Sequence, residues 1–440
     1  MKIMSTALEN EELVRYLRVY QYYKDLILSG QLLPDTKLPS IRKGSQQLQM
    51  SRTTMESAYL LLAAEGYIIS KPQSGYYVTD IAEKQRKQVE VRANQKKAEE
   101  EKILYDFATS NVDKESFRFE LWRRYMKSAL RQDERLLSYG EPQGEFEFRE
   151  VLCQYLQKER NVVCSPEQIV IGAGVQSLLH ILCPLLYKKK VLFRNQAFAH
   201  GRAIFEDYGF EIIEDHEAEK DVYYISPSQI TKAGEVLTIQ ERMKLIQKAS
   251  EKGFLIVEDD YNSEFQYFQK PMPSLQGLAG GRGVVYLGTF SKMLLPSIRM
   301  SFMVLPPELL PLYEKRKNLY NQTASKAEQI AITQFIRDGH LASQIRKSRK
   351  IHQEKSARLI KVLKKQLGAK ARVSMGESGF SVYVHFNIEE TAHELAKKAR
   401  KKGIAVVPIE GASPSLMLNC ANVSVTEYEA AVSLLKECLL

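Results

Sequence analysis

Five short apolar runs constrain this chain more than any other feature: QIVIGAG (168–174), KKVLFRN (189–195), DVYYISPS (221–228), GFLIVEDDY (253–261) and GVVYLGTFSK (283–292). Each has strand length, and helical crossovers connect them. Strands buried on both faces and joined in this way predict a mostly parallel sheet with helices on both sides, an α/β architecture. The crossover TIQERMKLIQKASEKG opens on a capping box, Thr238 and Glu241, and its spacing puts Ile239, Met243 and Ile246 on one apolar face. Ligands of such sheets bind beyond the carboxyl ends of the strands. Asp259, Tyr261, Thr289, Ser291 and Lys292 all fall there. The chain is then helix-rich from about Leu309 to Gly368, and GFSVYVHFN reads as an antiparallel strand. That pattern predicts a smaller α+β subdomain over about 309–440.

Length and charge divide the chain. At 440 residues it has room for two or three domains. Residues 81–102, IAEKQRKQVEVRANQKKAEEEK, are nearly all charged or polar, and such a composition cannot bury a core. The expected domains are therefore residues 1–80, a charged linker over 81–104, and 105–440. Acidic residues in MKIMSTALENEELV stand where a signal peptide needs an apolar core. The longest apolar runs are shorter than the roughly 18 residues of a membrane span. Five cysteines without a CxxC pair fit reduced thiols in a cytoplasm. The net charge of +10 points mildly towards nucleic acid.

Residues 11–30 have a helical pattern stopped by Gly30. KLPSIRKGSQQLQMSRTTMESAYLLLAAEGYIISKPQSGYYV follows. Ser40 and Ser51 can cap two short helices joined by a tight QMS turn, a helix-turn-helix, and Met55, Ala58, Tyr59 and Leu62 form the apolar side of the second. YIIS-KPQSG-YYV reads as a hairpin, a wing, with Gly75 in its turn. Lys37, Arg42, Lys43 and Arg52 are interrupted by no acid, although residues 1–80 carry a net charge of only +1. Ser51, Arg52, Thr53 and Thr54 offer donors at a helix N-terminus suited to phosphates and base edges. From Tyr16 to Thr79 the segment closely resembles the winged helix of the GntR family. The resemblance rests on LPSxR, SRxT, AYxxLxxEGxI and a G-aromatic-xV wing. It implies that Lys37, Arg42, Ser51, Arg52, Thr53, Thr54, Ser74 and Gly75 meet double-stranded DNA.

The larger part carries a second constellation. In GTFSKMLLPSIRMSF, Lys292 follows Thr289 and Ser291, and Arg299 lies seven residues further on. Pyridoxal 5′-phosphate, an aldehyde, needs a lysine amine for an imine, and its phosphate needs hydroxyls and an arginine. Strand alternation puts Asp259 and Tyr261 on one side, a carboxylate for a ring nitrogen and a donor for a phenolic oxygen. Gly174, Val175 and Gln176 open a helix whose free amides suit phosphate oxygens. Over roughly 104–440 the chain resembles fold-type I pyridoxal-phosphate proteins of the aspartate aminotransferase superfamily. The resemblance implies that Lys292 forms the Schiff base, that Phe198 in RNQAFAHG stacks on the ring, and that Tyr139 in YGEPQGEFEFREVL reaches the phosphate, across a dimer. A GntR winged helix fused to this fold is the MocR subfamily of transcriptional regulators, and the match runs end to end.

The departures bear on activity. Where aminotransferases have LRLGFA, with an arginine for the substrate carboxylate, this chain has LMLNCA, and Met417 cannot make that bond. Arg202, Arg346 or Arg349 offers a replacement from elsewhere. Lys232 and Ala233 stand in place of a proline and a threonine, Arg194 and Gln196 depart from an E-x-P start, and Ser301 replaces a glycine. A pocket that keeps the cofactor groups and loses the amino-acid clamp implies a regulator sensing pyridoxal phosphate or a small amine without turnover, and the resemblance to fold-type I proteins implies a homodimer. An active aminotransferase with an accessory DNA module is the alternative, and a domain that has lost the cofactor is a third reading.

Overall fold

A computed structural model describes residues 2–80, 103–109, 112–187, 189–194, 198–215, 218–228, 235–261, 263–265, 272–376, 381–409, 411 and 413–439, with backbone alone for 2–14. The linker expected over 81–104 lies largely outside these residues, as do Gln196, Lys232 and Ala233. The chain forms two compact units, Met1–Glu100 and Glu101–Leu440.

The first unit packs three helices, α1 (Lys2–Ser29), α2 (Ile41–Leu48) and α3 (Arg52–Ala64), on a hairpin of β1 (Ile68–Lys71) and β2 (Gly75–Val78). Helix α1 begins well before the apolar pattern at 11 and ends before Gly30, at φ 76°. Ser40 Oγ accepts from Lys43 N at 3.2 Å, and Ser51 Oγ from Thr54 N at 3.0 Å, so both predicted caps form. Gln49 turns the chain between the helices at φ 53°. Met55, Ala58, Tyr59 and Leu62 are fully buried with Val19, Tyr23 and Ile27. The wing turn is Pro72–Gln73–Ser74, with Gln73 at φ 58°. Gly75 is not in the turn as expected: it opens β2 opposite Lys71 at φ 107°, a conformation that favours glycine.

The second unit is built on a seven-stranded sheet. Its strands are β3 (Ile169–Gly172), β4 (Lys190–Phe193), β5 (Glu211–Ile213), β6 (Val222–Ile225), β7 (Leu255–Asp260), β8 (Val284–Thr289) and β9 (Ser301–Val304). Their order is β3-β9-β8-β7-β6-β4-β5. Only β9 runs antiparallel, and it sits between β3 and β8. All five apolar runs are strands; the pattern missed β9, whose sequence SFMV lies close behind Arg299, and short β5. Helices α4 (Phe146–Arg160), α5 (Val175–Leu182), α6 (Ala199–Asp207), α7 (Ile239–Lys252) and α8 (Lys326–Arg337) accompany the sheet.

Helix α7 corrects one expectation. Its capping box forms, with Thr238 N donating to Glu241 at 2.8 Å, but of the three expected apolar residues only Ile246 packs against the core, while Ile239 and Met243 are exposed. The helix turns Arg242 and Ala249 inwards instead. The buried Arg242 guanidinium donates to Leu237 O at 3.1 Å and Pro273 O at 2.9 Å, above the acidic underside of β7. A cation with polar partners thus displaces an apolar stripe, which periodicity cannot foresee.

The smaller part begins with α9 (His340–Leu367) and has an antiparallel sheet of β10 (Ala371–Met375), β11 (Ser381–Phe386), β12 (Val407–Ile409) and β13 (Ser415–Asn419), in the order β10-β11-β13-β12. Helices α9, α10 (Ala392–Lys401) and α11 (Tyr428–Leu439) bury one face of it through Leu359, Leu363, Val384, Leu395, Leu416 and Val432.

Candidate functional site

Register gathers the site. Ser301 pairs with both Gly172 and Thr289, and Asp260 with Gly288, so the ends of β3, β8 and β7 share one edge of the sheet. Gly174, at φ 94°, caps α5. A Cβ added there would lie 2.5 Å from Arg299 Nη2 and 3.3 Å from its Cζ, so the guanidinium rests against the start of that helix. Positive side-chain charge and the positive end of a helix converge there, which makes a candidate anion cradle. Arg299 itself takes φ 50°, directly before Met300 and β9.

Hydroxyls line the adjoining edge. Ser301 Oγ donates to Thr289 Oγ1 at 3.0 Å, and Thr289 Oγ1 donates to Ser291 Oγ at 3.1 Å. Ser301 is fully buried, so the residue that replaces a glycine extends the hydroxyl chain instead of opening space. One expected donor is engaged elsewhere: Gly174 N donates to Gly172 O at 2.9 Å. Ala173 N, just before it, donates to Thr323 Oγ1 at 2.9 Å. The helix amides that follow, Val175 and Gln176, have no such partner within the helix.

Lys292 Nζ lies 4.3 Å from the centre of the Tyr261 ring, and burial lowers its pKa to about 7. An amine with that pKa is largely neutral slightly above neutral pH. Asp259 is buried one strand over, and burial raises its pKa to about 6 despite the hydrogen bond it accepts from Tyr224 Oη at 2.8 Å. Among the described residues no basic side chain stands within ion-pair reach of Asp259. Phe198 stacks on Tyr224, with ring centres 5.8 Å apart, and a Cβ at Gly201 would meet the Phe198 ring at 2.3 Å. The sequence reading missed Tyr224, although it is the paired neighbour of Val257 in the next strand, two residues short of Asp259.

Two of the expected site residues stand apart. The Tyr139 side chain is fully exposed and touches no pocket group among the described residues of its own chain. Thr54 is buried and hydrogen-bonded to Ser51 at 2.7 Å, which takes it away from any groove; Ser51, Arg52 and Thr53 are exposed. On the wing, Ser74 Oγ holds Tyr77 Oη at 2.6 Å, and Lys37 Nζ lies 5.8 Å from the Tyr77 ring centre.

Met417 is half-buried on β13, opposite Tyr383 and Val407, while its neighbours Leu416 and Leu418 enter the core. Of the candidate replacement arginines, Arg202 is paired with Glu206 and Glu214, at 3.5 and 3.2 Å. Arg349 donates to the Glu264 carbonyl and, with Arg346, lines a cavity of about 160 Å³ that also holds Glu159 and Glu264.

A winged helix and an aminotransferase fold in one chain define the class of protein. Residues 15–78 match the gntR family of bacterial regulatory proteins, and 102–223 with 232–435 match aminotransferase class I and II. The chain is 37% identical to the uncharacterized HTH-type transcriptional regulator YdeL of Bacillus subtilis, over 90% of this chain and 89% of that one. It is 26% identical to the probable rhizopine catabolism regulatory protein MocR of Rhizobium meliloti, over 89% and 86%. A kynurenine aminotransferase of Pyrococcus horikoshii, in complex with PMP, shares the fold with a TM-score of 0.67 at 23% identity, over 80% of this chain and 94% of that one. The protein belongs to the MocR subfamily of gntR-family regulators, a DNA-binding winged helix joined to an aminotransferase-like unit. No helix among the described residues is long and apolar enough to cross a membrane.

Proposed function

We propose that this protein regulates transcription in the cytoplasm as a homodimer, and that its larger unit holds pyridoxal 5′-phosphate and reads it, or a small amine, as a signal. The observation that carries the reading is the convergence of Lys292, Asp259 and Arg299 on one sheet edge, each in a state that suits its partner. The donor set fits the group. Lys292 is easily deprotonated, buried Asp259 has no cation within ion-pair reach among the described residues, and Arg299 faces a helix N-terminus beside a chain of hydroxyls.

When bound, the cofactor supplies an aldehyde to an amine. Lys292 offers its neutral Nζ as that amine, beside the Tyr261 ring, and the Tyr261 hydroxyl would donate to the phenolic oxygen. Asp259 accepts a hydrogen bond from a protonated ring nitrogen, and Tyr224 keeps the carboxylate oriented. Phe198, stacked on Tyr224, covers one face of the ring site and excludes water. Arg299, Thr289, Ser291 and the Val175 and Gln176 amides take the phosphate. Met417 leaves no arginine at the position expected for a substrate carboxylate, which favours sensing over turnover. Exposed Leu137, Tyr139, Tyr187 and Leu319 are apolar surface that a second copy would cover.

Exposed Lys37, Arg42, Arg52 and Thr53 and half-buried Ser74 and Gly75 engage the operator, with Ser51 at the helix start. A ligand changes this binding only by favouring one arrangement of the protein over another. The test is operator binding at fixed salt, with and without pyridoxal phosphate, for wild type and Lys292→Ala. The expected result is a cofactor-dependent change of affinity in wild type alone. Equal affinities throughout would overturn the sensor reading and leave the winged helix as a plain DNA-binding module.

A further inference from the structure

The positive charge of this chain is not where its DNA-binding head is. Residues 340–402 hold sixteen Lys and Arg against five Asp and Glu, a net of +11, while the whole chain carries +10 and residues 1–80 only +1. Most of that excess lies on α9 and α10. Along α9 the individual positions Leu341, Ile345, Ser348, Leu359, Leu363 and Leu367 face the interior. At 3.6 residues per turn, Arg346, Lys350, Arg358, Lys361, Lys364 and Lys365 fall within an arc of about 120° on the opposite side. All six are exposed, and Glu354 is the one acid in that arc. Lys365 reaches Glu429 at 3.5 Å; among the described residues the other five have no carboxylate within ion-pair distance. The six span about 28 Å of helix at 1.5 Å per residue. On α10, Lys397, Lys398, Arg400 and Lys401 add to the same subdomain, with Lys398 paired to Glu390.

We infer that the outer face of α9 is a second DNA-binding surface, one that takes the phosphate backbone without reading sequence. A row of mutually repelling cations costs stability unless a polyanion meets it, and duplex DNA carries one charge per about 1.7 Å of axis. The apolar side of α9 is spent in the core, and no large apolar side chain of this helix is exposed, so the face lacks what a membrane-surface helix inserts. The chain already belongs to a DNA-binding family, and its winged helix brings little net charge of its own. The surface supplies affinity, and the winged helix supplies specificity.

The test compares full-length protein with a variant carrying Lys350→Gln, Arg358→Gln, Lys361→Gln and Lys364→Gln, on a long duplex of mixed sequence. Affinity is measured between about 50 and 200 mM salt. Each phosphate contact contributes about 0.9 to the salt slope, so losing four lowers it by about 3.6. Wild type then loses up to about 150-fold more affinity than the variant over that range. A second variant with Lys350→Arg, Lys361→Arg and Lys364→Arg keeps the charge and is expected to keep the wild-type slope. Equal slopes for wild type and the glutamine variant overturn the inference. So does an unchanged slope combined with lost binding to vesicles of anionic lipid, which would make the face a membrane contact. Arg52→Ala, measured in parallel on an operator, reports on the winged helix alone, so failure of this inference is distinguishable from failure of the regulator reading.

Discussion

Gly174→Ala tests the anion cradle most directly. The new methyl carbon would stand 2.5 Å from Arg299 Nη2, 3.3 Å from Cζ and 3.8 Å from Nε. Carbon and nitrogen rest comfortably at about 3.5 Å, so the guanidinium must retreat by about 1 Å. Separately, φ 94° with ψ 163° is a conformation essentially reserved for glycine, and alanine there costs about 1–3 kcal/mol of stability. A charge-assisted hydrogen bond from the guanidinium to phosphate is worth about 1.5–3 kcal/mol. Losing one weakens pyridoxal phosphate by about ten- to 150-fold. Equilibrium dialysis of wild type, Gly174→Ala, Arg299→Gln and the double variant measures both effects as a cycle. If the methyl acts by displacing Arg299, the double variant binds no worse than Arg299→Gln alone. Wild-type affinity in Gly174→Ala, or losses that simply add, would refute the argument.

Lys292 is lowered to about 7 by burial, so the neutral, reactive fraction is small well below that pH and nearly complete above it. The rate of cofactor attachment to cofactor-free protein should rise with pH through about 7 and then level off; stopped-flow absorbance that keeps climbing to about pH 10, as an ordinary lysine requires, would show the site is not so desolvated. Tyr224→Phe removes a donor that holds Asp259 down, so that carboxyl rises further above about 6. Cofactor affinity should then fall at about pH 7 and recover at about pH 9, where Asp259 is ionised in both proteins; a loss independent of pH would point to packing instead. Arg52→Ala should weaken operator binding by about 1–3 kcal/mol. Thr54→Val, which breaks only the contact with Ser51, should lower the melting temperature and leave the base preference unchanged in a selection from random duplexes.

Strand existence and the gathering of Lys292, Asp259 and Arg299 at one sheet edge were legible because both depend on local pattern. Apolar runs of strand length marked five of the seven strands of the large sheet, and the hydroxyl-lysine-arginine order marked the edge at which β8 ends. What failed depended on tertiary partners. Ile239 and Met243 satisfy helical periodicity, yet Arg242 is the residue that turns inwards, drawn by backbone carbonyls and the carboxylates beneath β7. Thr54 looked like a DNA contact by position, but one residue's rotation along α3 carries it from the outside into the cap. Tyr224 was invisible because nothing local says that a tyrosine in one strand points at a carboxylate in the next. Ser301 appeared as a lost glycine, and only the pairing of β9 with β8 reveals its hydroxyl against Thr289.

Met417→Arg decides whether this pocket stops at sensing for want of one side chain. Met417 lies half-buried on β13 on the face away from the apolar core, across from Tyr383, so a longer polar side chain has a path outward from the sheet without entering the packing of Leu416 and Leu418. A guanidinium paired with an amino-acid carboxylate gains about 1.5–3 kcal/mol for its first hydrogen bond, equivalent to about ten- to 150-fold in affinity. The visible spectrum of cofactor-loaded protein is the readout, recorded as amino acids are added. Wild type should not change, and the variant should respond with a saturable midpoint. The competing account assigns the carboxylate to another arginine. Arg202 is held between two glutamates and Arg349 donates to the Glu264 carbonyl, so both have competing partners. A wild-type response abolished by Arg346→Gln or Arg349→Gln would show that the clamp has moved to α9, and the protein would then be a transaminase attached to a winged helix.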